Sequence, residues 1–454
     1  MSLKVVILAA GKGTRMKSSL PKVLQPLAMK PLLAHVIETA EQLPTDQIVT
    51  VIGHGAERVQ TQIQHERVQY VMQEQQLGTG HAVMQANAYY QDDDVVLILY
   101  GDVPLTRLAT LQDLLGLVSE QSPLSLLTMT LEDSTGYGRI VRDHHHQVTE
   151  IVEEKDASPE QKQIREVNTG IMAVKGKYLM QWLDRLSCDN AQSEYYLTDI
   201  IAMCVEEGRS VATTEPDNLI EVLGVNNKVQ LQNLERAYQA QMAEDLMVNG
   251  ATLMDASRID IRGSVDIGQD VLIDVNVVFE GKVTLGDRVV IGPNCVLKNC
   301  HIANDTKIEA FSHIEDAQVG QACVIGPYAR LRPGTELAQS VKIGNFVETK
   351  KAKIDAGSKV NHLSYIGDTQ MGKGCNIGAG TITCNYDGVN KHQTIIGDHV
   401  FVGSDTQLVA PVIVESGATI GAGSTITKLA PADELTLSRS KQLTVKGWQK
   451  PKKQ

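Results

Sequence analysis

Residues 319–344 read VGQACVIGPYARLRPGTELAQSVKIG, and their spacing decides the fold of the second half of the chain. Val319, Ile325 and Ile343 each precede a glycine; the first two lie six residues apart and the third follows eighteen residues later. An aliphatic residue on a six-residue grid, followed by a small residue, is typical of a hexapeptide β-helix. We expect the aliphatic side chains to point inward and the small residues to let the backbone turn each corner.

The same grid runs from about residue 250 to residue 437. Further aliphatic–glycine pairs six residues apart begin at Leu285 and Ile291, at Met371 and Ile377, and at Ile396 and Val402. A period of eighteen residues gives three short strands per coil, so we predict a three-sided prism of about ten coils, each stabilised by its neighbours. The alternative is a glycine-rich β-sandwich, but its turns would recur about every 8–12 residues without a fixed register.

Two irregularities interrupt this grid. Residues 343–366 depart from the six-residue multiple, and we expect the irregularity near residues 355–363, which include His362. Residues 377–396 depart from it as well, in a stretch that contains Cys384–Gly388. Because solenoids carry insertions on their surface, often at the binding face, both stretches are candidate functional regions.

The first half of the chain has a different periodicity. Short apolar runs at Lys4–Ala9, Ile48–Ile52 and Val95–Tyr100 read as strands, and Pro31–Gln42 and Gly80–Tyr90 read as helices. Strands that alternate with helices indicate a Rossmann-like α/β sheet, largely parallel and covered on both faces.

Residues 227–249 join the two patterns. Apolar residues recur there mostly at steps of three and four, without Pro or Gly, which predicts one long amphipathic helix. We therefore predict three parts: an α/β domain at 1–226, a helical linker at 227–249, and a β-helix at 250–454 with a basic C-terminal tail.

Composition excludes several classes of protein. The 454 residues include 54 acidic and 42 basic ones, a net charge of −12 that argues against broad binding to nucleic acid or anionic membranes. No apolar run approaches the roughly 20 residues that cross a bilayer, and the first residues do not resemble a secretory signal. The seven cysteines are scattered without a C-x-x-C motif, so we expect a reducing cytoplasm rather than disulfides or structural zinc.

A glycine-rich turn, Ala10–Met16, follows the first predicted strand directly. Free backbone amides at the carboxyl edge of an α/β sheet form a cradle for anions. The turn is neither a Walker A loop nor a dinucleotide fingerprint, because Met16 stands where the third glycine would be. Lys12, Arg15, Lys17 and Lys22 make it strongly basic. Taken alone, a solvated basic turn remains an equal alternative.

A carboxylate follows another strand of the same predicted sheet. Asp102 comes just after Val95–Tyr100 and beside Gly101. There it could hold Mg²⁺ against phosphate oxygens. An ordinary strand-ending turn would need the same residue type, so Asp102 by itself does not decide between the two.

In the second half, His362 is the only obvious base within the irregular stretch. General acid–base catalysis needs a group that can exchange a proton near neutral pH, and histidine is the side chain best suited to that role. A structural or merely solvated histidine is the alternative. The surrounding sequence is rich in cations, namely Arg330, Arg332, Lys342, Lys350, Lys351 and Lys353. They could hold phosphates or simply form a solvated face.

Several motifs of the first half resemble the sugar-nucleotidyltransferase superfamily. They are Leu8–Met16 with Pro21-Lys22, Gln73–Ala82, Tyr100-Gly101-Asp102, Gly136–Arg139, Glu153, Asn168-Thr169-Gly170 and Gly224–Asn227. Followed by a helix and a hexapeptide β-helix, this domain resembles the bacterial bifunctional N-acetylglucosamine-1-phosphate uridyltransferase/glucosamine-1-phosphate acetyltransferase family. The resemblance covers essentially the whole chain.

That resemblance implies a uridylyl-transfer site in the first half. The nucleotide sugar would contact Leu8, Ala9, Ala10, Gly11, Lys22, Gln73, Gly78, Thr79, Tyr100, Gly101, Asp102, Gly138, Glu153, Asn168 and Asn226. Arg15 and Lys22 would neutralise phosphates, and Asp102 and Asn226 would hold Mg²⁺. The sugar 1-phosphate would attack the α-phosphorus of UTP in line and release pyrophosphate, a reaction carried by positioning and charge neutralisation.

It also implies an acetyl-transfer site in the second half, with His362 as general base. Arg332 and Lys350 would hold the sugar phosphate, Tyr365, Asn376, Asn385 and Tyr386 would complete the sugar pocket, and Ala379, Ser404, Ala422 and Arg439 would bind acetyl-CoA. The family forms homotrimers of left-handed β-helices, against the usual right-handed crossover. Acetylation of glucosamine 1-phosphate would then precede its coupling to UTP, giving UDP-N-acetylglucosamine for peptidoglycan and lipopolysaccharide synthesis.

Two other functions compete with this interpretation. One is a nucleotidyltransferase for a different sugar 1-phosphate, with a purely regulatory β-helix. The other is a β-helix that serves only as a scaffold or binding module. His362 and the Asn385-Tyr386 pair argue against the first, because a regulatory β-helix needs no base. Thiol release from acetyl-CoA in the presence of glucosamine 1-phosphate separates all three functions.

Overall fold

The computed structural model describes residues 2–453. The chain divides into two compact units between Tyr238 and Gln239. The α-helices are α1 (Leu32–Glu41), α2 (Ala56–Gln62), α3 (Thr79–Met84), α4 (Leu108–Gly116), α5 (Gly176–Leu183), α6 (Asp199–Glu206) and α7 (Lys228–Val248). The division falls within α7, the 21-residue helix. Across residues 2–453, no helix has both the length and the apolar character needed to span a membrane.

A mixed sheet forms the centre of the first unit. Its strands are β1 (Leu3–Ala9), β4 (Thr45–Ile52), β5 (Val68–Met72), β6 (Val95–Tyr100), β7 (Leu124–Thr130), β8 (Arg139–Arg142), β9 (Val148–Val152), β10 (Glu166–Lys175) and β11 (Val211–Thr214), and a separate small hairpin is formed by β2 (Pro26–Leu27) and β3 (Lys30–Pro31). The main order is β11-β7-β10-β6-β1-β4-β5. Alternate residues of β1 enter two cores, Val6 packing with Trp182 on one face and Val5 with Leu33 on the other.

Two features of the first unit differ from what the sequence pattern predicts: the direction of one strand and the length of one helix. β10 runs antiparallel to both β6 and β7, since the chain enters it from the β8–β9 hairpin and not through a crossover helix. The predicted helix over 80–90 is shorter: α3 ends at Met84, and a 3-10 turn follows at Asn87–Tyr89. Asn87 Oδ1 accepts a hydrogen bond from the Tyr90 hydroxyl at 2.6 Å, and asparagine favours such local bonds over a continuing helix.

The second unit is a parallel β-helix, as the six-residue grid predicts. Its strands are β12 (Thr252–Leu253), β13 (Ile259–Ile267), β14 (Leu272–Ile273), β15 (Val277–Leu285), β16 (Val290–Ile291), β17 (Val296–Lys298), β18 (His301–Ile302), β19 (Lys307–Ile308), β20 (His313–Glu315), β21 (Gln318–Val319), β22 (Val324–Ile325), β23 (Arg330–Leu331), β24 (Glu336–Leu337), β25 (Lys342–Asn345), β26 (Glu348–Ile354), β27 (Lys359–His362), β28 (Tyr365–Met371), β29 (Asn376–Ile377), β30 (Ile382–Cys384), β31 (Thr394–Ile396), β32 (Phe401–Val402), β33 (Gln407–Val409), β34 (Val412–Val414), β35 (Thr419–Ile420), β36 (Thr425–Ile426) and β37 (Leu435–Thr436). Each strand pairs in parallel with its equivalents on neighbouring coils.

Small aliphatic side chains fill the prism. Ile325, Leu331 and Ile343 of the six-residue grid are each at most 1% exposed, and the second half of α7 adds Ala243 and Leu246 to the same core. A narrow three-sided interior leaves little room for aromatic rings, which explains their low frequency in the chain.

One irregularity of the grid lies elsewhere than predicted. Within β26 the inward residues Thr349 and Ile354 are five positions apart, whereas their partners Leu331 and Leu337 on the preceding coil are six apart. The coil is therefore shortened by one residue inside β26 and carries no insertion at 355–363. The other irregularity is a true insertion, because the chain leaves the coil after β30 and returns at β31.

Candidate active sites

Two neighbouring parallel strands bring the glycine-rich turn and Asp102 to one edge of the first sheet. Leu8 of β1 pairs with Tyr100 of β6, and the Gly101 amide donates to the Leu8 carbonyl at 3.0 Å. Ligands of open α/β sheets bind outside the carboxyl ends of the strands. Ala10 and Asp102, which follow these two strands closely, lie at that edge.

Gly13 lets the turn fold tightly against Lys22. It has a φ of 59°, in the left-handed region that glycine adopts without strain. A Cβ atom at Gly13 would lie 2.7 Å from the Lys22 Cβ. Short 3-10 turns at Thr14–Met16 and Lys22–Leu24 fix the two basic side chains Arg15 and Lys22 near the sheet edge.

The basic and polar side chains predicted for this site converge. Lys22 Nζ forms an ion pair with Asp102 Oδ2 and donates to Asn226 Oδ1 at 3.3 Å. Arg15 Nη2 donates to the same Asn226 oxygen at 3.0 Å. The Val225 amide donates to the Asp102 carbonyl at 3.0 Å, which holds the segment that carries Asn226 beside the end of β6.

Asp102 and Asn226 fit a divalent cation that is shared with a substrate. Their side-chain oxygens both contact the Lys22 ammonium, so they already converge on one positive charge. Mg²⁺ prefers oxygen ligands and is usually held by one or two protein groups together with water and substrate phosphates. Among the described residues, no group of three or more His, Cys, Asp or Glu side chains forms a fuller cage.

Gly138, Glu153 and Asn168 lie together at the neighbouring part of the edge. The Asn168 amide donates to the Gly138 carbonyl at 2.9 Å, and a Cβ atom at Gly138 would approach Glu153 Oε1 to 3.5 Å. Burial raises the pKa of Glu153, whose Oε1 accepts a hydrogen bond from Thr198 at 3.1 Å. A half-buried carboxylate of this kind can accept hydrogen bonds from a sugar. The sequence patterns did not reveal Thr198, because nothing distinguishes it from other hydroxyl residues.

Gln73, Gly78 and Thr79 form the third part of the edge. The Gln73 amide donates to the carbonyl of Ile52, the last residue of β4, at 2.8 Å, and its side-chain Nε2 donates to the Gly78 carbonyl at 3.1 Å. Thr79 Oγ1 accepts from the Leu197 amide at 3.1 Å. The first unit thus brings together all three groups of residues predicted for it.

In the β-helix, equivalent corner positions of successive coils form one column. Each residue of this column lies two positions after the inward aliphatic residue of its coil. The column contains Asn345, His362, Ala379, Ser404 and Ala422. Backbone hydrogen bonds of 2.8 Å join the coils here, from the Asp405 amide to the Ala379 carbonyl and from the Gly423 amide to the Ser404 carbonyl. His362 and three of the predicted coenzyme contacts therefore share one edge of the prism.

His362 is exposed on the rim of this edge, at the last position of β27. Its Nδ1 lies 2.9 Å from Asn345 Oδ1, on the preceding coil. With Nδ1–H donating to that oxygen, Nε2 keeps its lone pair and can accept a proton. Asn345 was not predicted, because the repeat gives the position one coil away from His362 but does not mark the residue there as functional.

Positive charge is concentrated next to this rim. Lys391 lies beside Lys350 and lowers the pKa of the Lys350 ammonium, while Arg332 forms an ion pair with Glu348 at 2.7 Å. Lys391 belongs to the insertion, whose path the six-residue grid does not specify, so it was missed. Lys353, grouped with these cations in the sequence, instead pairs with Glu336 at 3.0 Å.

The predicted sugar-pocket residues are only partly assembled. Asn385 Nδ2 donates to Asp368 Oδ2 at 2.5 Å and to the Tyr365 hydroxyl at 3.4 Å. The Tyr386 hydroxyl donates to the Gly388 carbonyl at 2.5 Å, within the insertion. Asn376 lies on β29, half-exposed.

The far end of the edge carries the last predicted coenzyme contact. Arg439 Nη1 donates to the Ala422 carbonyl at 2.9 Å, and its side chain is exposed. The column that contains His362 therefore ends beside a cation.

Models of known protein families match three parts of the chain. Residues 5–137 match the MobA-like NTP transferase domain, residues 261–354 match the GMPPB C-terminal domain, and residues 393–428 match the bacterial transferase hexapeptide (six repeats). The nucleotidyltransferase and hexapeptide parts of the predicted fold are thereby confirmed.

Curated relatives match the chain from end to end. The bifunctional protein GlmU of Hydrogenovibrio crunogenus is 71% identical over 100% of both chains. The bifunctional protein GlmU of Marinobacter nauticus is 59% identical, and that of Aromatoleum aromaticum is 56% identical, each over 99% of both chains. Identity at this level over the full length shows that the chain belongs to the GlmU family of bifunctional proteins.

Proposed function

We propose a division of two activities along this chain. As a member of the GlmU family, it is a bifunctional enzyme, an acetyltransferase and a uridyltransferase that uses nucleotide and acetyl-CoA substrates. Uridylyl transfer takes place in residues 1–226 and acetyl transfer in residues 250–454, with 227–249 as the connecting helix. The observation that carries this division is the convergence of Lys22, Asp102 and Asn226 at the sheet edge.

Uridylyl transfer joins UTP to N-acetylglucosamine 1-phosphate. An oxygen of the sugar phosphate attacks the α-phosphorus of UTP, the bond to the β-phosphate oxygen breaks, and pyrophosphate leaves. Arg15 and Lys22 offset the negative charge of the phosphates, and Asp102 and Asn226 hold Mg²⁺. The bound ion supplies positive charge to the phosphate oxygens. No protein nucleophile is needed, because alignment and charge neutralisation lower the barrier.

The remaining residues of the sheet edge select the substrates. The turn from Leu8 to Gly11, with Gln73, Gly78, Thr79, Tyr100 and Gly101, contacts the nucleotide. Gly138, Glu153 and Asn168 contact the amino sugar. The closeness of Gly138 and Glu153 supports this assignment. Gly138 has no side chain to keep a sugar ring away from the backbone, and Glu153 beside it offers hydrogen-bond acceptors.

Acetyl transfer converts glucosamine 1-phosphate into the sugar used in the second reaction. The amine attacks the thioester carbonyl of acetyl-CoA, His362 Nε2 takes the amine proton, and the coenzyme leaves as thiolate and is protonated. Arg332 and Lys350 hold the sugar phosphate, and Tyr365, Asn376, Asn385 and Tyr386 surround the sugar. Ala379, Ser404, Ala422 and Arg439 line the coenzyme groove, which the shared column with His362 supports.

Hexapeptide repeats are associated with oligomers, and we propose a homotrimer here. The exposure of His362 and Tyr386 supports this proposal. The acetyl-transfer site is open to water on one side, and the β-helix of a neighbouring subunit could cover that side. We also propose a cytoplasmic location. All seven cysteines are free thiols, which suits a reducing compartment.

Single substitutions test the division of activities. Asp102→Ala should abolish uridylyl transfer, measured as pyrophosphate release, and leave acetyl transfer intact. His362→Ala should lower acetyl transfer by about 10²–10⁴-fold, the usual contribution of a general base, when thiol release is measured, and spare uridylyl transfer. Loss of both activities in either folded variant would refute the proposal of two independent sites.

A further inference from the structure

Arg139 is a buried cation beside the proposed sugar site, and the mechanism does not use it. The residue is 1% exposed, and its side chain is among the largest fully buried ones of the described residues. It begins β8 and pairs in register with Val152 of β9 and Val167 of β10. The backbone next to it on one side is Gly138, and the strand beside it leads directly to Glu153.

The Arg139 guanidinium joins a backbone carbonyl to a side-chain carboxylate. Nη1 donates to the Tyr137 carbonyl, and Nη2 forms an ion pair with Glu154 Oε2 at 2.7 Å. The same Glu154 oxygen accepts the Gly136 amide at 3.2 Å. Arg139 and Glu154 thus form a clasp, which ties the loop Gly136–Gly138 to the end of β9.

The residues bonded in the clasp are chain neighbours of two proposed sugar contacts. Glu154 follows Glu153 directly, and Gly138 lies between Tyr137 of the loop and Arg139, the first residue of β8. A Cβ atom at Gly138 would lie 2.9 Å from Ile151 Cγ2, so loop and strand already approach as closely as side chains allow. A small displacement of the loop would therefore change the space available between Gly138 and Glu153.

Stability alone is a poor reason for such a pair. Desolvation of the buried guanidinium offsets much of its attraction to Glu154, whose side chain is 30% exposed, and ion pairs with a desolvated partner often contribute little to the free energy of unfolding. Arg139 Nε is also buried without a hydrogen-bond partner among the described residues. A planar guanidinium does, however, hold two acceptors at fixed directions, which a flexible apolar side chain cannot do.

We propose that Arg139 and Glu154 are positioning residues of the uridylyl-transfer site. Together they hold the loop Gly136–Gly138 at the separation from Glu153 that the amino sugar requires. The inference rests on the proposed function, in which Gly138, Glu153 and Asn168 contact that sugar. It assigns no contact with substrate to the clasp itself.

Steady-state kinetics of the full-length chain test the clasp. In Arg139→Met and in Glu154→Gln we expect the KM for N-acetylglucosamine 1-phosphate to rise about 10-fold and the KM for UTP to change less than about 2-fold. The double variant should be no worse than Arg139→Met, because both substitutions break the same connection. Arg139→Lys should restore only part of the loss, since an ammonium cannot bridge both acceptors in fixed geometry.

A matched control lies three residues further along the same strand. Arg142 pairs with Glu166 through two hydrogen bonds, of 2.7 and 2.5 Å, but does not contact the loop Gly136–Gly138. Arg142→Met should leave the sugar KM unchanged. An unchanged KM for UTP in each variant reports that the unit carrying the uridylyl-transfer site is folded.

Three outcomes would overturn the clasp: equal rises of both KM values, additive effects in the double variant, or an unchanged sugar KM in Glu154→Gln. Glu154→Gln keeps the test valid if Arg139→Met does not fold. Glu153→Gln separates the two levels of the inference. If it leaves the sugar KM unchanged, the proposed sugar site is wrong; if it raises the KM while both clasp variants do not, only the clasp is wrong.

Discussion

The two candidate sites of this chain are assembled in opposite ways. At the sheet edge, Lys22 meets Asp102 across 80 residues and Asn226 across 204 residues of sequence. In the β-helix, His362 meets Asn345 across 17 residues, which is one coil. An α/β sheet gathers a site through its topology, whereas a solenoid gathers one through its register. Sequence spacing therefore reveals the second kind of site more directly than the first.

The sites also differ in their exposure to water. The side chains of Lys22 and Asp102 are 17% and 14% exposed, whereas His362 is exposed on a rim. Charges in a partly buried site interact more strongly than charges on a surface, because water screens them less. We therefore expect the sheet-edge site to depend mainly on charge and metal, and the β-helix site on proton transfer.

Removal of divalent cations gives the largest expected difference between the two sites. With excess chelator, uridylyl transfer should fall to background, because Asp102 and Asn226 would lack the ion that offsets the phosphate charge. Acetyl transfer should persist, since no step at His362 uses a metal. Pyrophosphate and thiol release, measured in one sample before and after Mg²⁺ is restored, check this contrast. Equal loss of both activities would contradict it.

The fold was predictable to the extent that it repeats. The six-residue grid predicted the β-helix because inward aliphatic residues recur on every coil. It misplaced the irregularity that lies within β26, since the removal of one residue inside a strand changes the count without any distinctive residue. The antiparallel β10 was also missed, because a buried apolar strand reads the same in either direction.

The sites were predictable to a different degree. The sequence pattern singled out Lys22, Asp102 and His362, but Asn226 came from the family resemblance. Lys391 and Asn345 escaped both approaches. Lys391 reaches Lys350 only because the insertion returns to the prism at that point, and such a path depends on tertiary contacts. Their roles, like those of the other site residues, stay predictions.

Lys391→Met should produce a smaller effect, confined to the β-helix site. We expect the KM for glucosamine 1-phosphate to rise about 10-fold, because the cation beside the proposed phosphate contact Lys350 is lost. The pKa of Lys350 should rise, because the neighbouring positive charge that lowers it is gone. Lys350 would then lose its proton at higher pH than in the unaltered protein, which an NMR titration of its side chain can measure. Lys359→Met, at an exposed position of β27, is the matched control.

The smallest expected effect concerns Asn345, which contacts His362 but no proposed substrate. Asn345→Ala should lower kcat for acetyl transfer a few-fold and leave both KM values unchanged, because only the orientation of the imidazole is lost. Asn345→Asp makes a sharper test, since a carboxylate beside Nδ1 favours the protonated ring. The acid limb of the acetyl-transfer pH profile should then move to higher pH, while the pH profile of uridylyl transfer stays where it is. If the acid limb does not move in Asn345→Asp, the group that titrates there is not His362. The expectation that the β-helix site depends on proton transfer to His362 would then be wrong.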